Sequence, residues 1–226
     1  LLAAARGGQL APGELAAAAR RILALKGWLA QQAQPDLSVV GCAEHRALAA
    51  EVAARAVTLV RDQAKLLPLR LHADALVAVV VPETTDLTPA DTSSYERCDL
   101  AGAVRRYHAR LDDLRMPVDA TPSEVAALVA RLADYDLVIV GTINATVRPG
   151  QAALVRELLR RGTRVVAVAL RLPYDLAAYP EAPTYLCTYS ITPPAIEALA
   201  DALWGYGPLS GHLPASIPGV GNPQLK

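Results

Sequence analysis

The chain has no phenylalanine, three lysines, and aromatic residues at only 4% of its 226 positions. Its core must therefore be built from aliphatic side chains, and 53% of the residues are hydrophobic, enough for one compact domain with a sizeable interior. There is also no excess of charge, because 22 basic residues balance 22 acidic ones. That balance excludes the electrostatic footprint of a nucleic-acid or anionic-membrane binder. Cysteine is scarce, odd in number and widely spaced, at Cys42, Cys98 and Cys187. This excludes a disulfide framework and a thiolate metal cluster, and leaves buried reduced thiols. No apolar run approaches the roughly 20 residues that cross a bilayer. No signal peptide is visible, but the chain begins Leu1-Leu2-Ala3 without Met, so its compartment stays open.

Several chemical motifs are missing too. Neither Gly-x-Gly-x-x-Gly nor a P-loop occurs, which disfavours a nucleotide held on helix N-terminal glycines. No Gly-x-Ser-x-Gly elbow is present. His45, His72, His108 and His212 stand apart from one another without His-x-x-x-His or Glu-x-x-His spacing, so no metal ligand set and no cofactor is expected.

What is present is alternation. A short helical piece, Leu1 to Arg6, is followed by a helix from Pro12 to Trp28, whose apolar residues Leu15, Ile22 and Leu23 require something to pack on. Gln31-Gln32-Ala33-Gln34-Pro35 reads as a polar linker. From Gly41 the pattern becomes regular. Residues 44–57 predict a helix with Leu48, Val52 and Ala56 on one face, and Thr58 to Val60 a short strand. The runs 75–81, 136–140, 164–170 and 184–188 predict strands, and the unbroken apolar run 75–81 suits a strand buried on both faces of a parallel sheet. A weak strand is expected over 110–116 and a helix over 97–108. Thr121-Pro122-Ser123-Glu124 is a capping box that opens another helix. Pro149 opens a further helix, closed at Gly162, and Thr192-Pro193 caps the last, stopped by Gly205. The resulting fold class is α/β, a three-layer sandwich of a mainly parallel sheet with helices on both faces.

Sites in such sheets lie beyond the carboxyl ends of the strands, here in 82–95, 141–148, 171–175 and 189–192. Glu83, Asp86 and Asp91 share one of these loops, and carboxyl pairs are what glycoside hydrolysis requires. The same three residues also suit a solvated loop that caps its own turns. Asn144 and Arg148, with Thr142 beside them, are the better contact residues, because an amide and a planar guanidinium suit sugar hydroxyls or a domain interface.

Six segments, taken in order, resemble one known family. They are Ala18 with Arg20 to Lys26; Glu44 to Ala49 with Val57 to Asp62 and Leu66-Leu67-Pro68-Leu69; Gly141-Thr142-Ile143-Asn144-Ala145 with Pro149-Gly150-Gln151; Pro173-Tyr174-Asp175-Leu176; Tyr189-Ser190 with Leu203-Trp204-Gly205; and Gly211-His212-Leu213-Pro214. Their order is similar to the C-terminal half of family 3 glycoside hydrolases, in the β-N-acetylhexosaminidase branch. Leu172 departs from the Asn that usually precedes Pro-Tyr-Asp-Leu. Asn144 to Arg148 stands where the glucosidase branch has a Glu-Gly-x-Asp-Arg type segment, which disfavours that branch.

The resemblance implies a partner, an N-terminal (β/α)₈ barrel of the same protein that carries the nucleophile and the His-Asp acid/base pair. Residues 1–40 would then be helical remnants of that barrel plus a linker, and residues 41–226 the C-terminal sandwich with a Pro/Gly-rich tail. It further implies that this chain is non-catalytic by itself, and that the parent acts by retaining hydrolysis of terminal N-acetyl-β-glucosaminides or related β-glycosides, with carbohydrate as substrate. The residues alone leave two alternatives open, a free-standing α/β module that binds a small ligand or sugar, and a purely structural domain.

Overall fold

Six strands form one sheet, and its middle is built from runs of Val and Ile that no polar side chain interrupts. In the computed structural model, which describes residues 1–86, 90–91 and 93–220, the strands are β1 (Thr58–Asp62), β2 (Val77–Pro82), β3 (Leu111–Met116), β4 (Leu137–Thr142), β5 (Val165–Ala169) and β6 (Thr184–Cys187). Their order is β1-β6-β5-β4-β2-β3, with β1 antiparallel to β6 and every other pair parallel. Every residue of β2, β4, β5 and β6 is buried, as expected for strands covered on both faces.

The helices that cover the sheet are α4 (Leu100–Arg105) and α7 (Pro193–Leu203) on one face and α5 (Pro122–Arg131) and α6 (Pro149–Arg160) on the other. Alternate residues divide between the two cores. Val77, Val79, Ile139 and Val168 meet Val104 and Leu199, while Ala78, Val80, Val138 and Val140 meet Val129 and Leu154. Burying one such aliphatic side chain contributes about 1.5–3 kcal/mol, so the two cores supply most of what opposes chain entropy.

Local signals end the helices as the residues require. Thr121 accepts from the Glu124 amide while the Glu124 carboxylate accepts from the Thr121 amide, completing the capping box. Gly162, at φ 79°, closes the turn after α6. Gly150 allows a close approach, because a Cβ there would lie 2.2 Å from the Ala120 carbonyl oxygen.

Four expectations need correction. The helix over 97–108 is only Leu100–Arg105, because the Asp99 side chain caps it by accepting from the Gly102 amide. Helix α3 (Ala43–Ala56) turns Ala53 and Ala54 toward the core and leaves Leu48 and Val52 more than half exposed. Thr192 stands at the start of α7 without capping it, because its hydroxyl pairs with Ser190 at 2.8 Å. Residues Pro173–Ala178, expected only as part of a loop, form a 3-10 turn after β5.

The chain divides into two compact units, Leu1–His45 and Arg46–Lys226. The sheet lies within the second. The first holds α1 (Leu2–Arg6) and α2 (Pro12–Leu29), neither of which buries a residue. Ile22, Leu23, Leu25, Trp28 and Leu29 of α2 are all exposed.

Candidate functional site

The connection from β2 leads outward to β3, whereas the connection from β4 leads the other way to β5. The loops that follow β2 and β4 therefore diverge, and this switch point is where a parallel sheet opens a crevice. The loops that follow β2, β3, β4 and β5 all lie at that end of the sheet.

The loop after β4 is rigidly braced. Asn144 takes a left-handed backbone at φ 57°, a conformation Asn tolerates better than most residues. Its neighbours are tied down from three directions. The Ile143 amide donates to Gln151 Oε1 at 2.7 Å, and Gln151 Nε2 donates to the Val118 carbonyl at 3.1 Å. The Ala145 amide donates to Asp175 Oδ1 at 2.8 Å. Arg148 Nη1 lies 2.5 Å from both carboxylate oxygens of Asp119, in the loop after β3. The Asn144 side-chain oxygen is enclosed, with no hydrogen-bond partner among the described residues, so it is the polar atom of this loop with capacity to spare.

Thr142, grouped by sequence with Asn144 and Arg148 as a contact residue, is instead wholly buried. Its hydroxyl donates to Asp175 Oδ2 at 2.7 Å and lies 2.7 Å from the Tyr179 hydroxyl. Having given its single proton to the carboxylate, Thr142 accepts from Tyr179. Its role is to anchor the loop from within. Burial pushes the Asp175 carboxyl up to about 6, against the opposing pull of the hydrogen bonds from Thr142 and Ala145.

The acidic loop after β2 divides into separate roles. Glu83 is exposed, and its amide donates to the Met116 carbonyl at 2.8 Å. Asp86 accepts from the Ser94 amide at 2.9 Å, which folds the loop onto itself. Asp91 reaches farther, to an ion pair with Arg171 at 2.7 Å in the segment after β5. Since β4 lies between β2 and β5 in the sheet, this pair links the loops on either side of the Asn144 loop. Asp86 and Asp91 thus serve a turn and an ion pair.

Asp175, Gln151, Asp119 and Arg171 hold the site together, and none of them carries a local signal that singles it out. Asp175 was legible only as one letter of Pro173-Tyr174-Asp175-Leu176. Gln151 is a third helical residue like any other until its amide is seen to join two loops. Among the described residues no group of three or more His, Cys, Asp or Glu side chains is placed to hold a metal ion, and no helix is long and apolar enough to cross a membrane.

Comparison with known proteins gives a consistent likeness. No family model matches the chain. It is 28% identical over 230 aligned positions to a β-N-acetylglucosaminidase/β-glucosidase of Cellulomonas fimi, covering 92% of this chain and 40% of that protein. Among solved structures, a glycoside hydrolase family 3 β-N-acetylglucosaminidase from Paenibacillus sp. str. FPU-7 superposes with a TM-score of 0.77 at 27% identity, over 96% of this chain and 42% of the other. A fungal multi-domain β-N-acetylglucosaminidase of the same family gives 0.74 at 27% identity, over 97% of this chain and 25% of the other. The chain therefore spans well under half the length of each of these relatives.

Proposed function

We propose that this chain is the C-terminal α/β domain of a family 3 glycoside hydrolase and is non-catalytic by itself. In this reading the parent hydrolyses terminal N-acetyl-β-glucosaminides or related β-glycosides with retention. Residues 1–40 are the end of its catalytic barrel and a linker, and residues 41–226 are the sandwich that packs on the barrel. The observation that carries the reading is the likeness at TM-score 0.77 to a β-N-acetylglucosaminidase of which the chain spans only 42%.

Two features of the molecule support it. Three carboxylates at the strand ends are committed elsewhere, Asp91 to Arg171, Asp119 to Arg148 and Asp175 to Thr142. Retaining hydrolysis instead needs two carboxyl groups about 5–5.5 Å apart and facing one bond. In addition, apolar side chains are exposed on α2, where Trp28 is 58% exposed, and separately on α3, where Val52 is 59% exposed, and a larger partner would cover such side chains. The barrel of the same protein is that partner.

Asn144 and Arg148 are the residues assigned to touch substrate or the barrel rim. Their loop stands at the switch point, and both residues are only partly buried. The test is a hydrolysis assay on an aryl N-acetyl-β-glucosaminide. The parent protein is expected to turn it over and the purified 226-residue chain is expected not to. Turnover by the chain alone, retained through repeated purification, overturns the non-catalytic reading.

A further inference from the structure

The chain holds only two Trp and eight Tyr, yet three of these rings stack together where the parallel strands begin. Tyr107, which follows α4, lies 5.5 Å from Trp204 and 5.2 Å from Tyr206 between ring centroids, nearly parallel to both. Trp204 is buried, Tyr107 half-buried, and Tyr206 78% exposed. Tyr206 is nonetheless held in place. Its amide donates to the Asp201 carbonyl at 2.8 Å, and the preceding Gly205 takes φ 80° to turn the chain back toward Tyr107. Stacked on Tyr107 by one face, the ring presents its exposed area at low entropic cost.

Arg106 joins this platform to a second feature. Its guanidinium lies 5.5 Å from the Tyr107 centroid and pairs with Asp201 at 2.8 Å, and Asp201 also accepts from the Tyr107 hydroxyl. On its other side Arg106 lines a groove of about 280 Å³ between α4 and α7, together with Arg97, Asp99 and Glu197. Two guanidinium groups and two carboxylates line it with no net formal charge, Arg97 also lying 3.7 Å from Asp113 and Asp99 accepting from the Gly102 amide. Such a lining has many donors and acceptors but no preference for an anion or a cation, which is what a neutral polyhydroxylated ligand requires. An aromatic face suits the other side of the same chemistry. The ring's negative π face meets the C–H-lined face of a pyranose whose substituents are equatorial.

We propose that Tyr206 and the α4–α7 groove, joined through Arg106, form a binding site for a neutral oligosaccharide, one sugar ring lying on Tyr206 and rings farther along the same chain reaching Glu197, Arg97 and Asp99. The ligand class follows from the platform and groove. Only the choice of an N-acetylglucosamine oligomer as first probe rests on the function proposed above.

The experiment is calorimetric titration of the 226-residue chain with chitohexaose, cellohexaose and hexagalacturonate, each variant first checked for its fold by circular dichroism. Binding of one or both neutral hexamers is expected. Tyr206→Ala should weaken it about tenfold, and Tyr206→Trp should restore it, since stacking needs a ring and not the hydroxyl. Glu197→Gln should weaken it several-fold. Cellohexaose bound as well as chitohexaose supports the site while removing the N-acetyl preference, an outcome separate from failure of the hydrolysis assay. No binding of either neutral sugar, binding unchanged in Tyr206→Ala, or tighter binding of hexagalacturonate overturns the proposal. So does protection of Tyr206 from hydroxyl-radical footprinting in the sugar-free parent protein, because a protein surface would then occupy the platform.

Discussion

The Thr142 hydroxyl donates a 2.7 Å hydrogen bond to the Asp175 carboxylate, and through it the end of β4 is fastened to the 3-10 turn that follows β5. The same carboxylate receives the Ala145 amide, so one buried side chain sets both ends of the segment that presents Asn144. Together with the braces from Gln151 and Asp119, this buried acid gives the loop a fixed scaffold.

That setting makes the fold sensitive to pH. Burial raises the Asp175 pKa from 3.8 to about 6, so between these values the folded chain holds a proton that the unfolded chain releases. The stabilisation is fully present below about pH 4 and is lost as pH rises through 6. At about 1.4 kcal/mol per pH unit of difference it amounts to roughly 3 kcal/mol. Thermal melts from pH 4 to 8 should show this decline. Asp175→Asn, neutral at every pH, should melt close to the unmodified protein at pH 4.5, flatten the decline, and melt higher than it by pH 8. An unaltered pH dependence in the variant would mean that another group titrates.

The Asn144 loop calls for a substitution that keeps its backbone. Asn144→Ala would place an ordinary side chain at φ 57°, where the left-handed conformation costs about 1–2 kcal/mol, and would confuse contact with strain. Asn144→Gly avoids this. In the proposed parent enzyme it should lower kcat/KM by about tenfold with little change in Tm. Arg148→Ala should lower kcat/KM similarly and also release Asp119, costing up to about 1 kcal/mol of stability. Unchanged kcat/KM in both variants would remove the substrate contact and favour a structural role for the domain.

Gly150 reports on how α6 seats against the loop before α5. A Cβ would meet the Ala120 carbonyl oxygen and carbonyl carbon, at 2.2 and 3.0 Å, and neither can rotate away as a side chain would. Gly150→Val should therefore cost about 2–3 kcal/mol through displaced backbone. It should also loosen the Gln151 bridge, read as faster amide exchange at Ile143. A Tm equal to that of the unmodified chain would show that the approach is less close than described.

The strands and most helix limits were legible because their causes are local. An unbroken run such as Val77 to Val81 has no polar residue to place in water, whatever surrounds it. The Thr121–Glu124 box closes within four residues, and Gly162 needs only its own dihedral freedom. The α3 stripe shows the limit of such reasoning. Leu48 and Val52 have the spacing of a buried face, but spacing does not say whether the matching surface lies in the same chain.

By itself the sequence determined an α/β sandwich with a mainly parallel sheet, and the loops at which a site would stand. Periodicity, caps and turn residues act over a few positions and can be read one segment at a time. Only the tertiary structure decided what those loops hold. Asp91 meets Arg171 across 80 positions, Thr142 meets Asp175 across 33, and Tyr107 comes to lie against Tyr206. A hydrogen bond or a ring stack depends on ångström-scale placement of groups far apart in the chain, and that placement follows from the packing of the two cores.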